Sequence, residues 1–402
     1  MNIINQDAIA DIHWEMSWES AKALHSEHYR AHRVNFWRDC MPEELNNSLY
    51  GKAAGDVVEV DLEPGVVVSA HDVRNTFNVK PVQFNRRFKS DRNIEPRMGR
   101  FYPKGILKGI DGILPQNIQP FRCVGIQNNH LMVDFNHPLA KKNTHLKGIV
   151  KDVHEKTVDH GGNCNDWMEL ISNGPGMQAR WKKKPTDFFS GHPFKRENES
   201  PDQNFYQQPR WIHHIDENAI KVIKVIYDQF LKNDMQVLDL MSSWTSHIPD
   251  NLNLKRLIGL GLNSEELEKN IHLTDRMVYD LNQNPTLLLE TESFDAAICS
   301  LSVEYLIHPF EVFKEIARVL KSGTRFIITF SNRWFPPKVT GIWKELHDFE
   351  RMGLVLEYFL QSGMYKDMQT YSMRGLPRPR HDKYFSEKRW SDPVFAVWGT
   401  RK

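Results

Sequence analysis

The second half of the chain alternates short apolar runs with amphipathic segments. Between Asn218 and Phe230, apolar residues recur at three- and four-residue spacing, which predicts a helix. Beyond it, compact apolar runs predict strands over 236–240, 256–260, 295–301 and 324–330, with helices over 264–270 and 310–320. Because strands that alternate with helices form parallel sheets covered on both faces, we expect a mostly parallel α/β domain. Segments 365–373 and 394–398 suit an antiparallel pair that closes this sheet.

The first half of the chain has a different pattern. Across residues 7–38, apolar residues stand at loosely helical spacing, which predicts one or two helices. From Asp56 polar and apolar residues alternate up to Pro64-Gly65, so a half-buried strand and its turn are expected. Three more short strands are expected over 120–126, 130–135 and 144–153, with a hairpin turn at 127–129. This part therefore predicts a small α+β domain, mainly antiparallel.

Between these halves, residues 161–210 keep no apolar period and are rich in glycine, proline and charge. Such a composition is typical of a linker or a long wrapping loop. We therefore expect three parts: an N-terminal β domain over 1–160, the linker or loop over 161–210, and the α/β domain over 211–402.

Charge and cysteine content narrow the function classes. The 402 residues carry a formal net charge of +1, so no nucleic-acid partner is expected. Four scattered cysteines indicate reduced thiols in a cytoplasmic protein, without a disulfide framework or a structural zinc site. The N-terminus lacks the pattern of a signal peptide, and no apolar run approaches bilayer length, so no membrane partner is expected. His213-His214 lacks ligand partners at metal-site spacing, and no metal is predicted.

The loop after the first strand of the α/β part is unusual. An apolar run, a short loop and a second apolar run are typical of the opening βαβ unit of a nucleotide-binding sheet. Such loops normally contain glycines, yet this one reads Met241-Ser-Ser-Trp244. If Ser242 or Ser243 took a positive φ, the strain would be on the order of 1 kcal/mol or more. Their hydroxyls could instead bind a ligand directly.

Several motifs over 211–402 resemble the class I S-adenosylmethionine-dependent methyltransferases, in a type 11-like form whose first motif is poor in glycine. They are "VLDL" around Asp239, Tyr279-Asp-Leu281, "ESFDAAICSLSVEYL" from Glu292, "PFEVFKEIARVLKSGTRFIITFSNR" from Pro309 and "DPVFAVWGT" from Asp392. The resemblance implies a Rossmann-like sheet and S-adenosylmethionine as the cofactor. Residues 45–56 and 124–153, with "DFNHPLA" inside, resemble FKBP-type prolyl isomerases of the SlyD branch, which implies a fold and no catalytic residues here.

The methyltransferase resemblance also implies where the cofactor binds. Asp239 would help to hold the methionine ammonium group, Asp280 and Leu281 would border the adenine, and the end of the fourth strand would face the sulfonium. Gly261 stands where an acidic residue usually grips the ribose, with Asn263 as the nearest polar group. The full set of expected cofactor residues is Asp239, Leu240, Met241, Ser242, Ser243, Trp244, Gly261, Asn263, Asp280, Leu281, Ser300 and Leu301.

Catalytic candidates follow the fourth strand. Glu304, Tyr305 and His308 are candidates for a base or an orienting group, and the alternative is a helix start with a capping Glu and a packed Tyr. Residues 332–334 could line an acceptor pocket, or Ser331-Asn332 could cap a turn. A basic loop after residue 373 could attract an anionic substrate.

Two functions of different classes remain open from the sequence. The first is a methyltransferase that acts on a small-molecule or protein acceptor, with the FKBP-like domain assisting substrate binding or packing. The second is a binding or chaperone-like protein, related to SlyD-type isomerases, whose methyltransferase fold no longer catalyses. The acceptor and the oligomeric state do not follow from the sequence.

Overall fold

The computed structural model of the protein describes residues 2–88, 93–127, 129–155 and 163–402. The strands in these ranges are β1 (Ala8–Glu19), β2 (Leu24–Asn35), β3 (Val57–Leu62), β4 (Thr76–Val79), β5 (Phe101–Pro103), β6 (Pro120–Gln127), β7 (His130–Asp134), β8 (Thr144–Glu155), β9 (Gln236–Leu240), β10 (Arg256–Gly261), β11 (Asp275–Val278), β12 (Phe294–Ser300), β13 (Leu320–Phe330), β14 (Tyr365–Arg374) and β15 (Val394–Arg401). The helices are α1 (Glu43–Leu49), α2 (Trp167–Ser172), α3 (Asp202–Phe205), α4 (Glu217–Phe230), α5 (Ser264–Lys269), α6 (Pro309–Val319), α7 (Gly341–Glu345) and α8 (Asp348–Ser362).

The prediction of one or two helices over residues 7–38 is wrong, because β1 and β2 form a long antiparallel hairpin there. Alternate residues of β1 face the core, and Ile12, Trp14 and Met16 are buried. Ile12 and Met16 are four residues apart, a spacing that fits a strand as well as a helix, so the apolar pattern was ambiguous. Trp14 packs over Gly148 of β8, where a Cβ would lie 2.5 Å from the indole ring.

The rest of the N-terminal part is mainly antiparallel, as predicted. The strands predicted over 120–126, 130–135 and 144–153 are confirmed as β6, β7 and β8. β4, β7, β6 and β5 form a separate four-stranded sheet, whereas β8 and β3 continue the sheet of the hairpin. Asn128 of the predicted turn lies outside the described residues. The likeness to FKBP-type isomerases stays a prediction.

The C-terminal part contains the predicted alternation of strands and helices. β11, β10, β9, β12 and β13 lie side by side and are parallel. β15 then lies antiparallel between β13 and β14, which confirms the predicted closing pair. α8 was not predicted, because it is buried on nearly all sides and so lacks the amphipathic stripe that marks a surface helix.

The two halves share one eleven-stranded sheet. β14 pairs in parallel with β2, which gives the order β11-β10-β9-β12-β13-β15-β14-β2-β1-β8-β3. The sheet as a whole is therefore mixed, and the predicted mostly parallel arrangement holds only from β11 to β13. Without β2, the long strand β14 would end the C-terminal sheet with unpaired backbone groups, and β2 satisfies them.

The residues between the halves are packed against the C-terminal part. The first two residues of the predicted linker lie outside the described residues; we call the remainder, 163–210, the wrapping segment. Met177 and Phe188 are buried in the hydrophobic cluster that contains β12, β13 and α8. Arg180 donates to both carboxylate oxygens of Glu357 at 2.5 and 2.7 Å. No helix in the described ranges has the length and apolarity that a membrane crossing requires.

Candidate functional site

A cavity opens at the carboxyl ends of β9, β10 and β12, where the ligands of α/β sheets bind. Of the twelve residues that the sequence predicts for a cofactor, all but Leu240 line it: Asp239, Met241, Ser242, Ser243, Trp244, Gly261, Asn263, Asp280, Leu281, Ser300 and Leu301. Leu240 points instead into the hydrophobic core and is 2% exposed. The contact of the lining residues with a cofactor stays a prediction.

The glycine-poor loop turns sharply at one residue. Met241 has a φ of 52°, whereas Ser242 and Ser243 are not among the residues with positive φ, so the expected strain lies one residue earlier. The backbone N–H of Ser242 donates to the carbonyl of Leu260 at 2.7 Å. This bond holds the loop against the end of β10, directly beside Gly261.

Gly261 is closed to any side chain. A Cβ at this position would lie 2.2 Å from the carbonyl oxygen of Ser242. An acidic residue could therefore not stand here without displacing the loop. The absence of an acidic residue at position 261 and the unusual loop thus result from the same local packing arrangement.

The serine hydroxyls are both bonded within the protein. Ser242 donates to Oδ2 of Asp239 at 2.6 Å, and Ser243 donates to Oε2 of Glu266 at 2.6 Å. Oε1 of Glu266 accepts the backbone N–H of Arg210 at 2.7 Å. The hydroxyls thus fix the loop to β9 and, through Glu266 of α5, to the wrapping segment.

Asp239 is buried at the end of β9, with 1% of its surface exposed. Burial raises the pKa of its carboxyl from 3.8 to about 7, although bonds from the Ser242 and Ser246 hydroxyls act in the opposite direction. A buried carboxylate of this kind is stabilised by a cationic group of a ligand. Asp239 is therefore suited to an ammonium group, as the sequence predicts.

Asn263 has a structural task that the sequence did not reveal. Its Oδ1 accepts the N–H of Glu266 at 3.0 Å and so caps α5. Its Nδ2 donates to the carbonyls of Tyr206 and Gln207 at 2.9 and 3.0 Å. The oxygen end of the amide thus caps α5 and the nitrogen end holds the wrapping segment, so Asn263 is unsuited to replace the acidic residue that would bind the ribose.

The segment after β11 contributes Asp280 and Asn282 to the cavity wall. Oδ1 of Asp280 accepts the N–H groups of Asn282 and Gln283 at 2.9 and 3.3 Å, which leaves Oδ2 for a ligand. Burial and the nearby carboxylate of Asp202 raise the pKa of Asp280. Asn282 donates to Asp202 and to the carbonyl of Tyr305, both at 2.9 Å, and so joins three walls of the cavity.

Ser300 and Leu301 end β12 at the centre of the cavity. The hydroxyl of Ser300 lies 2.6 Å from the phenol oxygen of Tyr227, which is fully buried beneath it. Leu301 has a φ of 54° and so lies in the left-handed region, as do Met241 and His247 of the same cavity wall. Met241 and Leu301 each directly follow a strand, β9 and β12, and border the same space.

The three catalytic candidates occupy different environments. Tyr305 lines the cavity, and its hydroxyl accepts the N–H of Phe335 at 2.9 Å. Glu304 is 1% exposed and does not line the cavity; neither carboxyl oxygen has a hydrogen-bond partner on another described residue, and burial raises its pKa to about 8. His308 precedes α6 and does not line the cavity either. Of the three, only Tyr305 can touch a ligand there.

A second cavity adjoins the first. Both are bordered by Ile212, His213, His214, Leu301, Tyr305 and Phe335. The second adds residues 332–334, which the sequence predicted for an acceptor pocket, together with Lys383 and Tyr384 of the basic loop. The guanidinium of Arg333 lies 5.0 Å from the ring of Tyr384. In contrast, Arg378 of the same loop is buried and pairs with Asp392 at 2.9 Å, so it is structural.

Several residues of the wall were missed from the sequence. Asp202, Tyr206 and Arg210 come from the wrapping segment, whose pattern offered no periodic signal. The guanidinium of Arg210 lies 4.6 Å from the ring of Phe205 and 5.1 Å from that of Phe335, which fixes the segment over the cavity. The interleaving of aromatic and basic residues over 205–211 is the one signal that could have indicated such a cluster.

Comparison with known proteins identifies a family match in the C-terminal part. The sequence model of a methyltransferase domain family matches residues 244–328, about a fifth of the chain. The match begins at Trp244, so the loop of Ser242 and Ser243 precedes it. No curated protein matches the chain.

Solved structures match at low identity. The [4+2]-cyclase SpnF is 15% identical with a TM-score of 0.35, over 53% of this chain and 99% of that one. An S-adenosylmethionine-dependent methyltransferase from Aquifex aeolicus is 15% identical with a TM-score of 0.30, over 50% and 97% of the two chains. One from Mesorhizobium loti is 15% identical with a TM-score of 0.28, over 46% and 96%.

The family match and the fold of the same residues agree. β10, β11, β12 and most of β13 fall inside the matched range, and the cavity borders it. The match supports the predicted class I methyltransferase fold in the C-terminal part of the chain, and it indicates S-adenosylmethionine as the cofactor.

Proposed function

We propose that the protein is an S-adenosylmethionine-dependent methyltransferase that binds the cofactor in the first cavity and the methyl acceptor in the second. One observation carries the proposal: the two cavities share a wall at Leu301 and Tyr305, just beyond β12, where the sulfonium is expected. Methyl transfer requires an in-line approach of acceptor and methyl group, which two adjoining cavities permit. The cofactor supplies the reactive methyl group, so the protein needs chiefly to position both partners.

In this proposal the cofactor lies along the ends of β9, β11 and β12. Asp239 faces the methionine ammonium, and the backbone of residues 241–244 faces its carboxylate. Asp280 accepts from the adenine amino group through Oδ2, with Leu281 against the ring. The ribose lacks the usual acidic partner because Gly261 admits no side chain. We therefore expect cofactor affinity to depend strongly on Asp239 and on the loop geometry.

The acceptor would be deprotonated by a histidine rather than by the residues that the sequence favoured. His214 borders both cavities and lies with its ring 4.8 Å from that of Phe335. Burial, helped by Arg210 and Arg333, lowers its pKa, so the imidazole is neutral and can accept a proton at neutral pH. The pKa of Tyr305, by contrast, is raised far above its ordinary value, so Tyr305 orients the acceptor.

The charge of the second cavity favours an acceptor that carries a negative charge. Arg333 and Lys383 line it, and Trp334 and Tyr384 add aromatic surface. An anionic small molecule with an apolar part fits this combination, and so does a protein segment whose acidic side chains lie beside the group that is methylated. We propose a packing role for the N-terminal part, because β2 completes the sheet along β14. Among the described residues, no observation favours the alternative of a chaperone-like binding protein.

The test is transfer of a labelled methyl group from S-adenosylmethionine to fractions of a cell extract. The wild-type protein is expected to label at least one fraction, whereas Asp239→Ala abolishes labelling and His214→Gln reduces it by at least tenfold. Glu59→Ala, an exposed position on β3, serves as the control and is expected to match the wild type. Labelling by Asp239→Ala at the wild-type rate, or none by the wild type, would contradict the proposal.

A further inference from the structure

Outside both cavities, the β1–β2 hairpin brings two histidines and a glutamate together. Nε2 of His13 and Nδ1 of His28 lie 3.1 Å apart, and Oε1 of Glu15 lies 3.6 Å from the first and 3.9 Å from the second. The circle through these three atoms has a radius of about 2.1 Å, which is the usual length of a zinc–nitrogen or zinc–oxygen bond. A cation near the centre of this circle would therefore lie within bonding distance of all three atoms.

The strand register explains why these residues meet. His13 and Glu15 are two apart on β1 and so project from the same face of the sheet. Glu15 is directly opposite His28 on β2. The sequence does not predict this cluster, because residues 7–38 were predicted to be helical. In a helix, residues two apart point in different directions.

The surroundings orient the ring of His28. Nε2 of His28 lies 2.9 Å from Oγ of Ser26; when its N–H donates to that hydroxyl, the lone pair on Nδ1 faces His13. The ring of His28 also packs against that of Tyr371 on β14, with 4.5 Å between the centroids. A hydrogen bond from the second ring nitrogen is characteristic of imidazoles that bind metals.

The protonation states fit as well. Burial lowers the pKa of His13 and of His28 to about 4. The nearby ring of His28 lowers the pKa of His13 further, and Lys147 lowers that of His28 further. Both imidazoles are therefore neutral at pH 7 and offer lone pairs. The side chains are 16% and 15% exposed, and that of Glu15 is 29% exposed, so a water molecule can reach the open side.

Positive charges also face this group. Nζ of Lys147 lies 3.6 Å from Oε2 of Glu15, the carboxylate oxygen that is not part of the triangle. Arg30 is bonded to Asp11 at 3.2 Å, and Lys151 acts on His13 from β8. These charges disfavour hard cations that bind through charge alone, such as Mg²⁺ or Ca²⁺, and favour a metal that bonds strongly to imidazole.

We propose that His13, Glu15 and His28 bind a divalent transition-metal ion, with Zn²⁺ as the cation of best fit and water as the fourth ligand. None of the three residues lines either cavity, so the site is separate from the proposed methyl transfer. The metal joins β1 to β2, and β2 is the strand that pairs with β14 of the C-terminal part. Its expected effect is to stabilise this junction of the sheet.

The test uses the full chain, freed of metal with a chelator and titrated with Co²⁺ as a spectroscopic probe for zinc. We expect one equivalent to bind with visible d–d absorption, and Zn²⁺ to displace it. Glu15→Gln and His28→Ala should each weaken binding by at least tenfold. The control is His145→Ala, which removes an imidazole of the same sheet that pairs with Asp61 at 2.8 Å, and it should bind as the wild type does.

Thermal unfolding separates loss of the site from loss of the fold. Zn²⁺ is expected to raise the unfolding temperature of the wild type and of His145→Ala but not that of Glu15→Gln, which keeps the shape of the side chain. A Co²⁺ complex with a thiolate charge-transfer band would assign the metal to Cys40 and Cys164, whose sulfurs lie 3.6 Å apart, and would overturn the proposal. Undiminished binding by Glu15→Gln would overturn it equally.

Discussion

At the scale of single residues, the cavity depends on groups that are costly to the fold. Asp239 is buried as a carboxyl with a raised pKa, and Met241 and Leu301 have positive φ angles, which cost on the order of 1 kcal/mol each. All three border the same space at the ends of β9 and β12. Backbone strain and a buried carboxyl group are therefore concentrated in one cavity. This is expected of a binding site, because a bound ligand can offset their cost in free energy.

The first prediction concerns the pH dependence of cofactor binding. With a pKa of about 7, Asp239 is mostly protonated at pH 6 and mostly ionised at pH 8. Because an ammonium group binds the ionised form, S-adenosylmethionine affinity should rise about tenfold between pH 6 and pH 8. Isothermal titration calorimetry measures this, and Asp239→Asn should bind weakly with a flat pH profile. A wild-type affinity that is independent of pH would show that Asp239 does not face the ammonium.

The raised pKa of Asp239 also makes the stability of the fold depend on pH, in the direction opposite to that of cofactor affinity. Its folded pKa lies above the ordinary value of 3.8, so the folded state holds the proton more tightly than the unfolded state between pH 4 and pH 7. Asp239 therefore lowers the free energy of unfolding as pH rises through this window, and the loss is complete above about pH 7. The Asp239→Asn variant should lose less stability than the wild type over the same window in urea unfolding.

The next prediction concerns Gly261. In Gly261→Ala the new Cβ meets the Ser242 carbonyl at 2.2 Å, which forces the loop away from β10. We expect a loss of about 1–3 kcal/mol in stability and at least tenfold weaker cofactor binding. Gly323→Ala makes the same change at a glycine with φ of 80° and nothing within 4 Å, so it should cost stability through the backbone alone. Equal cofactor affinity in the two variants would contradict this account of the loop.

At the scale of elements, the wrapping segment covers the carboxyl ends of the strands and forms one wall of the first cavity. It is held by contacts with residues distant in sequence, such as Asn263 with the carbonyls of Tyr206 and Gln207, and Lys338 with Asp202 at 3.0 Å. The sequence pattern of the wrapping segment does not predict these partners. Its role in the cavity therefore follows only from the three-dimensional structure.

A cap variant tests this role. Asn263→Ala removes both the cap of α5 and the two bonds to the wrapping segment, so we expect a loss of about 1 kcal/mol in stability. Amide hydrogen exchange should rise across residues 198–210, and cofactor affinity should fall. Asn284→Ala removes a comparable bond, to the N–H of Thr286 at 3.0 Å, in an exposed turn. If hydrogen exchange over residues 198–210 were equally fast in this control, Asn263 would not be the residue that holds the wrapping segment.

The elements differ in how far the sequence predicted them. Strands β9, β10, β12 and β13 followed from compact apolar runs, and the closing pair from two further strand-like segments, whereas the four-residue strand β11 was not predicted. The hairpin was misread because its apolar spacing fits two periods, and α8 escaped because burial on all sides erased its stripe. Most cofactor candidates reached the cavity wall, whereas Glu304 and His308 did not, because position after a strand does not determine which way a side chain points.

At the scale of the whole molecule, one buried carboxylate joins the parts of the chain. Glu27 of β2 is 0% exposed and accepts from Trp18 at 3.3 Å, from Gln178 of the wrapping segment at 2.6 Å and from the Ser372 hydroxyl of β14. The N-terminal hairpin, the wrapping segment and the C-terminal sheet thus share a single acceptor. Together with the continuous sheet, this arrangement indicates that they unfold together.

The variant Glu27→Ala tests whether the two halves of the chain unfold together. Three buried donors lose their acceptor, so we expect destabilisation by about 3 kcal/mol or more, with one unfolding transition at lower urea concentration. The control Glu59→Ala changes an exposed glutamate of β3 and should shift stability by less than about 0.5 kcal/mol. Two separate transitions in the Glu27 variant would mean that the halves fold independently.

The most direct measurement of the central proposal is calorimetric titration of the full chain with S-adenosylmethionine at pH 8. We predict binding to one site, with affinity reduced at least fiftyfold in Asp239→Ala and unchanged in Glu59→Ala. The absence of binding heat at high micromolar cofactor, or equal affinity in the wild type and Asp239→Ala, would contradict the assignment of the cavity at the ends of β9, β10 and β12.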